Sequence, residues 1–171
     1  STSNVLAGQL FGMPVSGTHA HSWVMSFDSE IDAFRAYANC FPEKTLLLVD
    51  TYDTLRSGVP NAIRVFREQR EKGYEPLGIR LDSGDLAYLS RKARQMLDEA
   101  GFPNAKICVS NDLDEYLIRD LKLQGARIDL WGVGTRLITS AGRAALGGVY
   151  KLCALEKDGQ LQPKIKLSDT T

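Results

Sequence analysis

Four short polar clusters hold most of the side chains that could do chemistry. They are Asp50, then Arg80 with Asp82-Ser83-Gly84-Asp85, then Ser110-Asn111-Asp112, then Gly132-Val133-Gly134-Thr135. Each closes an apolar run. Gly-rich turns ahead of helices bind phosphate through exposed backbone N–H groups. Carboxylates beside them accept ribose hydroxyls or hold Mg²⁺, a hard cation suited to pyrophosphate. Arg80 lies inside an apolar run and needs an anion close by. Taken together, the clusters describe a sugar-phosphate pocket. The same residues also fit plain helix caps, with Asp or Ser at the N-cap and Gly at a positive φ. His21 is a further candidate. It follows Gly17-Thr18 in a charge-free stretch, a setting for a nucleophile or general base, or for a buried structural histidine. Trp23 reads as core rather than as a stacking platform.

The elements that must carry these residues follow from hydrophobic pattern. Thr45–Asp50, Leu77–Leu81, Ala105–Asn111 and Ile128–Thr135 are short, mainly apolar runs with polar ends, read as buried strands. Between them lie amphipathic stretches: from Thr54 or Pro60 to Lys72, from Leu86 to Ala100, and from Asp112 or Asp114 to Leu123. Gly73, Gly101 and Gly125 stop them. The basic face Arg56, Arg64, Arg67, Arg70 and Lys72 reads as a solvated helix face. Strand-ending residues recur about every 30 residues, the length of one βα unit. The predicted class is therefore α/β, with ligands at the carboxyl ends of parallel strands. A full β/α barrel takes about 250 residues, so the expectation is a partial, irregular barrel over 1–147. A β extension over 148–171 turns at Lys157-Asp158-Gly159. Ahead of the first strand, a short helix over Asn4–Phe11 ends at Gly12. Pro14–Phe27 reads as extended chain, and Ser29–Cys40 as a helix capped by Asp28 or Ser29. Residues 1–27 contain no Asp, Glu, Lys or Arg and are expected to be core or pocket lining.

Composition narrows the function. The 171 residues carry 21 basic and 21 acidic side chains, a balance that argues against a general nucleic-acid or membrane-surface binder. No apolar run approaches the ~20 residues of a membrane helix. The three cysteines are far apart and odd in number, as expected of reduced thiols in a cytoplasmic protein. Cys108 and Cys153 read as core. With two histidines there is no zinc-type spacing. The chain opens Ser-Thr-Ser-Asn and closes Ser-Asp-Thr-Thr, which reads as a piece of a longer protein.

Seven motifs occur in order: Thr2-Ser3-Asn4, Gly17-Thr18-His19-Ala20-His21-Ser22-Trp23, Val49-Asp50-Thr51-Tyr52-Asp53, Ile79 through Leu86, Val109-Ser110-Asn111, Gly132 through Thr135, and Gly147-Gly148-Val149-Tyr150-Lys151-Leu152. Together they closely resemble the nicotinate phosphoribosyltransferase family, from Ser1 to about Leu167. The resemblance implies a type II phosphoribosyltransferase fold, an irregular β/α barrel beside an open α/β domain. It implies that nicotinate and phosphoribosyl pyrophosphate give nicotinate mononucleotide and pyrophosphate, with ATP as co-substrate hydrolysed through a phosphohistidine and with Mg²⁺ as cofactor. On the match, His21 is the phosphorylated residue, and His19 occupies a variable position outside the chemistry. Thr18 and Arg80 fall around the nicotinate carboxylate. Gly134 and Thr135 fall at the phosphoribosyl pyrophosphate position. Asp82, with a catalytic role, Ser110 and Asn111 fall at ribose and phosphate contacts.

The resemblance also implies a homodimer whose sites borrow an aromatic residue from the neighbouring subunit, and N- and C-terminal portions that lie outside this chain. The fragment alone would then be catalytically incomplete. Three alternatives stay open. Nicotinamide phosphoribosyltransferase shares the fold and mechanism. Quinolinate phosphoribosyltransferase would need a more basic pocket for two carboxylates. The third is a non-catalytic sugar-phosphate-binding fragment.

Overall fold

The computed structural model describes residues 1–139 and 148–167. Four strands, β1 (Leu46–Leu48), β2 (Gly78–Leu81), β3 (Lys106–Val109) and β4 (Leu130–Trp131), form one parallel sheet in the order β1-β2-β3-β4. Each crossover carries a helix: α4 (Val59–Glu71), α5 (Leu86–Glu99) and α6 (Glu115–Leu123). Sequential order without reversal is that of adjacent staves in a β/α barrel and differs from a doubly wound sheet, whose order turns back at a switch point.

The helices form where the sequence places caps and apolar stripes. Asp85 accepts the Tyr88 N–H at the start of α5, and Asp114 accepts the Leu117 N–H at the start of α6. On α5 the buried positions Leu86, Ala87, Ser90, Ala93 and Leu97 make one helical stripe. They pack on one face of the sheet, where Leu47, Ile79 and Ile107, then Val49, Leu81 and Val109, are all fully buried. Phe34 from α3 (Glu30–Cys40), Phe66 from α4 and Phe102 complete this core. Two glycines are forced by close approach. A Cβ on Gly78 (φ 151°) would lie 1.9 Å from the Lys106 carbonyl oxygen, and one on Gly58 would lie 1.8 Å from that of Val49. Gly58 ends a π-helical turn (Thr54–Gly58) that leads from β1 into α4, with Asp53 capping its first N–H groups.

Outside the sheet, α1 (Val5–Phe11) is capped by Asn4 and stopped by Gly12 in the left-handed region. The hairpin of β5 (Ala154–Lys157) and β6 (Gln160–Pro163) turns through Asp158 and Gly159, both at positive φ. It is tied back by Lys157 to Asp28 at 2.7 Å, and beyond it the Leu167 N–H reaches the Thr51 carbonyl at 3.1 Å.

Three expectations need correction. Residues 21–25 are not extended but form α2 (His21–Met25), held because Val24 and Met25 are buried and the Trp23 indole donates to the Ala33 carbonyl. The uncharged N-terminal stretch is not uniformly core: Val5, Leu6, Leu10 and Phe11 on α1 are exposed among the described residues. Cys153 is exposed, since its hairpin carries no covering layer among the described residues, whereas Cys108 is half-buried on β3; all three cysteines are free thiols. Gly147 of the last motif lies outside the described residues.

Candidate active site

The sheet register assembles the site. Leu48, Arg80, Cys108 and Leu130 are partners across the four strands. Side chains alternate between faces, so the residues two further on, Asp50, Asp82 and Ser110, share that row's face at the carboxyl edge. This is the face away from the helix-packed core. Arg80 therefore emerges beside Asp82 of its own strand, and the observed β2–β3 register brings Ser110 to the same edge. Its guanidinium is held at three points: Nε donates to Ser110 Oγ at 2.9 Å, Nη1 to Thr18 Oγ1 at 2.7 Å and Nη2 to Asp82 Oδ1 at 3.0 Å. The Ser110 hydroxyl in turn donates to Asp82 Oδ1. Burial by itself would push the Asp82 carboxyl up. The neighbouring His21 imidazole, the Ser110 hydroxyl and the Arg80 guanidinium outweigh it and hold Asp82 well below the usual carboxylate range. Arg80 and Asp82 each keep 26% exposure, so the pair stays open to solvent at the carboxyl edge of the sheet rather than forming a sealed ion pair.

His21 closes the arrangement from the other side. It is the first residue of α2 and its Nδ1 lies 3.1 Å from Thr51 Oγ1. Its Nε2 points between two carboxylates, 4.0 Å from Asp50 Oδ1 and 3.7 Å from Asp82 Oδ2, and has no hydrogen-bond partner. Asp50 is 2% exposed. Its Oδ2 accepts the Asp82 N–H at 2.8 Å and the Ser83 hydroxyl at 2.6 Å, which leaves Oδ1 unpartnered towards His21. In the tautomer whose Nδ1 proton is donated to Thr51 Oγ1, Nε2 carries the free lone pair that could take a proton or attack, from a buried position between Asp50 and Asp82. The two carboxylates would stabilise positive charge on the ring.

Thr18 joins the Arg80 cluster. Asn111 is exposed at the exit of β3 with φ 97°, followed by Asp112 at 45°, a pair of left-handed residues that turns the chain sharply after Ser110. Gly134 and Thr135 stand on the same carboxyl edge, as N-cap and first residue of α7 (Thr135–Ile138). Thr135 and Asn111 are both exposed, and neither bonds to the Arg80 cluster among the described residues. His19 is 7% exposed, packed on Tyr37 and Phe34, and its Nε2 accepts the Leu48 N–H at 3.1 Å. Burial lowers its pKa to about 4, with Arg80 and His21 adding to the effect and the Ala20 carbonyl opposing it. Sequence reasoning left Asp50 as a lone strand end and did not single out Thr51. Both become visible once β1 and β2 are aligned, because Asp50 then meets the backbone of the next strand's turn. Among the described residues no group of three or more His, Cys, Asp or Glu side chains is placed to hold a metal ion. Within the same residues, no helix is long and apolar enough to cross a membrane.

No family model matches the chain. It is 60% identical over 168 residues to the nicotinate phosphoribosyltransferase of Bacillus subtilis, covering 98% of this chain and 34% of that protein. The crystal structure of human nicotinic acid phosphoribosyltransferase aligns with a TM-score of 0.72 at 32% identity, covering 77% of this chain and 37% of that one. That of nicotinate phosphoribosyltransferase from Porphyromonas gingivalis aligns at 0.72 with 26% identity, covering 98% and 46%. The chain thus spans about a third of the length of the curated relatives it matches.

Proposed function

This chain belongs to the nicotinate phosphoribosyltransferase family, carrying a segment of it, and from that premise we infer that it supplies the catalytic face of an enzyme joining nicotinate to phosphoribosyl pyrophosphate. In that reaction the pyridine nitrogen bonds to the ribose anomeric carbon. The bond from that carbon to pyrophosphate breaks, and its electron pair leaves with pyrophosphate. Positive charge builds on the ribose, and Asp82, kept ionised beside Arg80, stands where it can be stabilised. The observation that carries the reading is the three-point clamp on Arg80, which fixes the guanidinium plane at the carboxyl edge and leaves one N–H on Nη1 and one on Nη2 for a ligand. A fork of this kind takes a carboxylate through two parallel N–H bonds. A carboxamide offers one acceptor and no charge, so the acid is the better ligand.

The remaining assignments complete the proposal. Gly134, Thr135, Ser110 and Asn111 take the phosphates and hydroxyls of the sugar. His21 Nε2 attacks the γ-phosphorus of ATP, ADP leaves, and the phosphohistidine is later hydrolysed. Because these residues build no metal cage, Mg²⁺ would arrive on the phosphates, in keeping with its habit of using one or two carboxylates plus substrate oxygens. When bound it would neutralise charge on the departing pyrophosphate. The barrel closes with parts outside this chain, as a homodimer.

The test is made on the complete polypeptide, incubated with labelled ATP and phosphoribosyl pyrophosphate and with either nicotinate or nicotinamide. The expected result is mononucleotide from nicotinate, and acid-labile phosphate on protein that disappears in His21→Ala. Turnover of nicotinamide in preference would move the protein to the sister activity. Absence of product with either base would leave a sugar-phosphate-binding module.

A further inference from the structure

The site depends on where the segment 18–21 meets the sheet, because it brings in both Thr18 and His21. Two of its contacts involve groups already placed in the chemistry: Thr18 with Arg80, and His21 with Thr51. The third is His19, whose ring reaches no part of the Arg80–Asp82 cluster by any hydrogen bond among the described residues. It meets backbone instead. β1 is the end strand of the four-stranded sheet. The Val49 N–H turns inward to the Arg80 carbonyl of β2. Strand alternation therefore turns the Leu48 N–H outward, to an edge where it would be buried and unpaired. His19 Nε2 accepts it at 3.1 Å from 29 residues away. For Nε2 to accept, the ring proton must sit on Nδ1, which faces the Ala20 carbonyl at 3.4 Å. The ring is fixed edge-on to Tyr37, with centroids 4.8 Å apart, and lies 5.9 Å from Phe34.

We propose that His19 is a positioning residue: its Nε2 supplies the acceptor that a neighbouring strand's carbonyl would give the edge of β1, and so sets where Thr18 and His21 meet the carboxyl ends of the sheet. The claim rests on the reading of Thr18 and His21 as site residues. Its structural half, the bond to Leu48, stands independently of that reading. Burial of the ring keeps the acceptor neutral and available near neutral pH.

Three variants of the complete polypeptide separate the acceptor from the ring. In His19→Gln an amide oxygen reaches the position of Nε2. In His19→Asn it stops at the level of Nδ1. His19→Phe keeps the ring and loses the acceptor. Two readouts are taken: kcat against KM for nicotinate, and amide hydrogen exchange at Leu48 and residues 19–22. The proposal expects Gln to stay close to wild type in both. Asn and Phe should lose about tenfold to a hundredfold in kcat, the scale set by an ångström of misplacement, with nicotinate KM rising as Thr18 loses its hold on Arg80 and exchange at Leu48 accelerated. Wild-type kcat in Asn and Phe, or a fall in Gln equal to theirs, would overturn it. If Phe does not fold, Gln against Asn makes the same comparison. If the wild type turns over no nicotinate, the functional reading fails. Exchange then decides the proposal: slow at Leu48 and 19–22 in wild type and Gln but fast in Asn supports it, and equal rates overturn it.

Discussion

At the residue scale the site turns on a few buried oxygens. Asp50 holds the β2 turn through Oδ2 and presents Oδ1 to His21. Asp50→Asn keeps one acceptor oxygen but directs N–H groups at His21 Nε2 or at the Asp82 N–H. The expected outcome is a kcat lower by about tenfold or more with a small change in nicotinate KM, and a stability loss of about 1–3 kcal/mol from the mispaired buried amide. Steady-state kinetics and urea unfolding check the two parts. Ser110→Ala removes the hydroxyl that bridges Arg80 and Asp82. Two charged partners lose one bond each, so nicotinate KM should rise by about tenfold, with kcat affected less. Much of this was legible in sequence: Arg80 inside an apolar run called for an anion, and Asp82 and Ser110 supply the surroundings. The Asp50–Ser83 bond was not legible, because it joins residues whose approach is set by strand register rather than by spacing.

At the scale of elements, the π-helical turn after β1 is the piece on which Asp50 and Thr51 depend. It is held from outside by Glu30, a buried carboxylate in the first turn of α3 that accepts from Ser57 Oγ and, at 2.9 Å, from Asn61 Nδ2. Burial raises the Glu30 pKa against the effect of those two bonds, with Asp53 adding to the rise. Glu30→Ala strands two donors and opens a cavity, and should cost about 2–4 kcal/mol, read by chemical denaturation. The strands could be read from their apolar runs, and α5 and α6 directly because each joins an apolar stripe to an aspartate cap and a glycine stop; α3 has the cap with a proline stop, and α4 the stripe and the glycine without a side-chain cap. Helix α2 could not: five residues without a charge or a side-chain cap give no period, and it forms because Val24 and Met25 have a core to enter. The single helix expected from Thr54 or Pro60 is instead a π-helical turn from Thr54 followed by α4 from Val59.

At the scale of the whole molecule, acid should weaken the fold in two stages. His19 has a folded pKa of about 4 against an ordinary 6.5. The unfolded chain therefore takes up its proton first, and stability is lost as pH falls between those values, on the order of 1–3 kcal/mol. Arg80 and His21 face the ring and deepen the effect. Glu30 works the other way: its raised pKa makes the folded state the better proton binder just above 4.5, and partly offsets the loss. Asp82 contributes stability above its ordinary 3.8, which disappears only in stronger acid. His19→Gln should therefore flatten the pH dependence of unfolding between about 6.5 and 4 relative to wild type, while leaving the steeper loss below it. Titrated urea unfolding of both proteins makes the comparison. The exposed apolar face of α1, with Val5, Leu6, Leu10 and Phe11, and the chain's coverage of about a third of its relatives fit a segment whose neighbours lie elsewhere in a longer polypeptide.

We propose that the clamped guanidinium of Arg80 selects nicotinate by its carboxylate. The most direct test compares kcat/KM for nicotinate and nicotinamide, in the complete polypeptide, for wild type and Arg80→Lys. Lysine keeps the charge and loses the planar fork. The expected result is a strong preference for nicotinate in wild type, reduced by about tenfold to a hundredfold in Arg80→Lys through loss of nicotinate turnover. An unchanged ratio in Arg80→Lys would contradict it, and would place acid recognition on residues other than the Arg80 cluster.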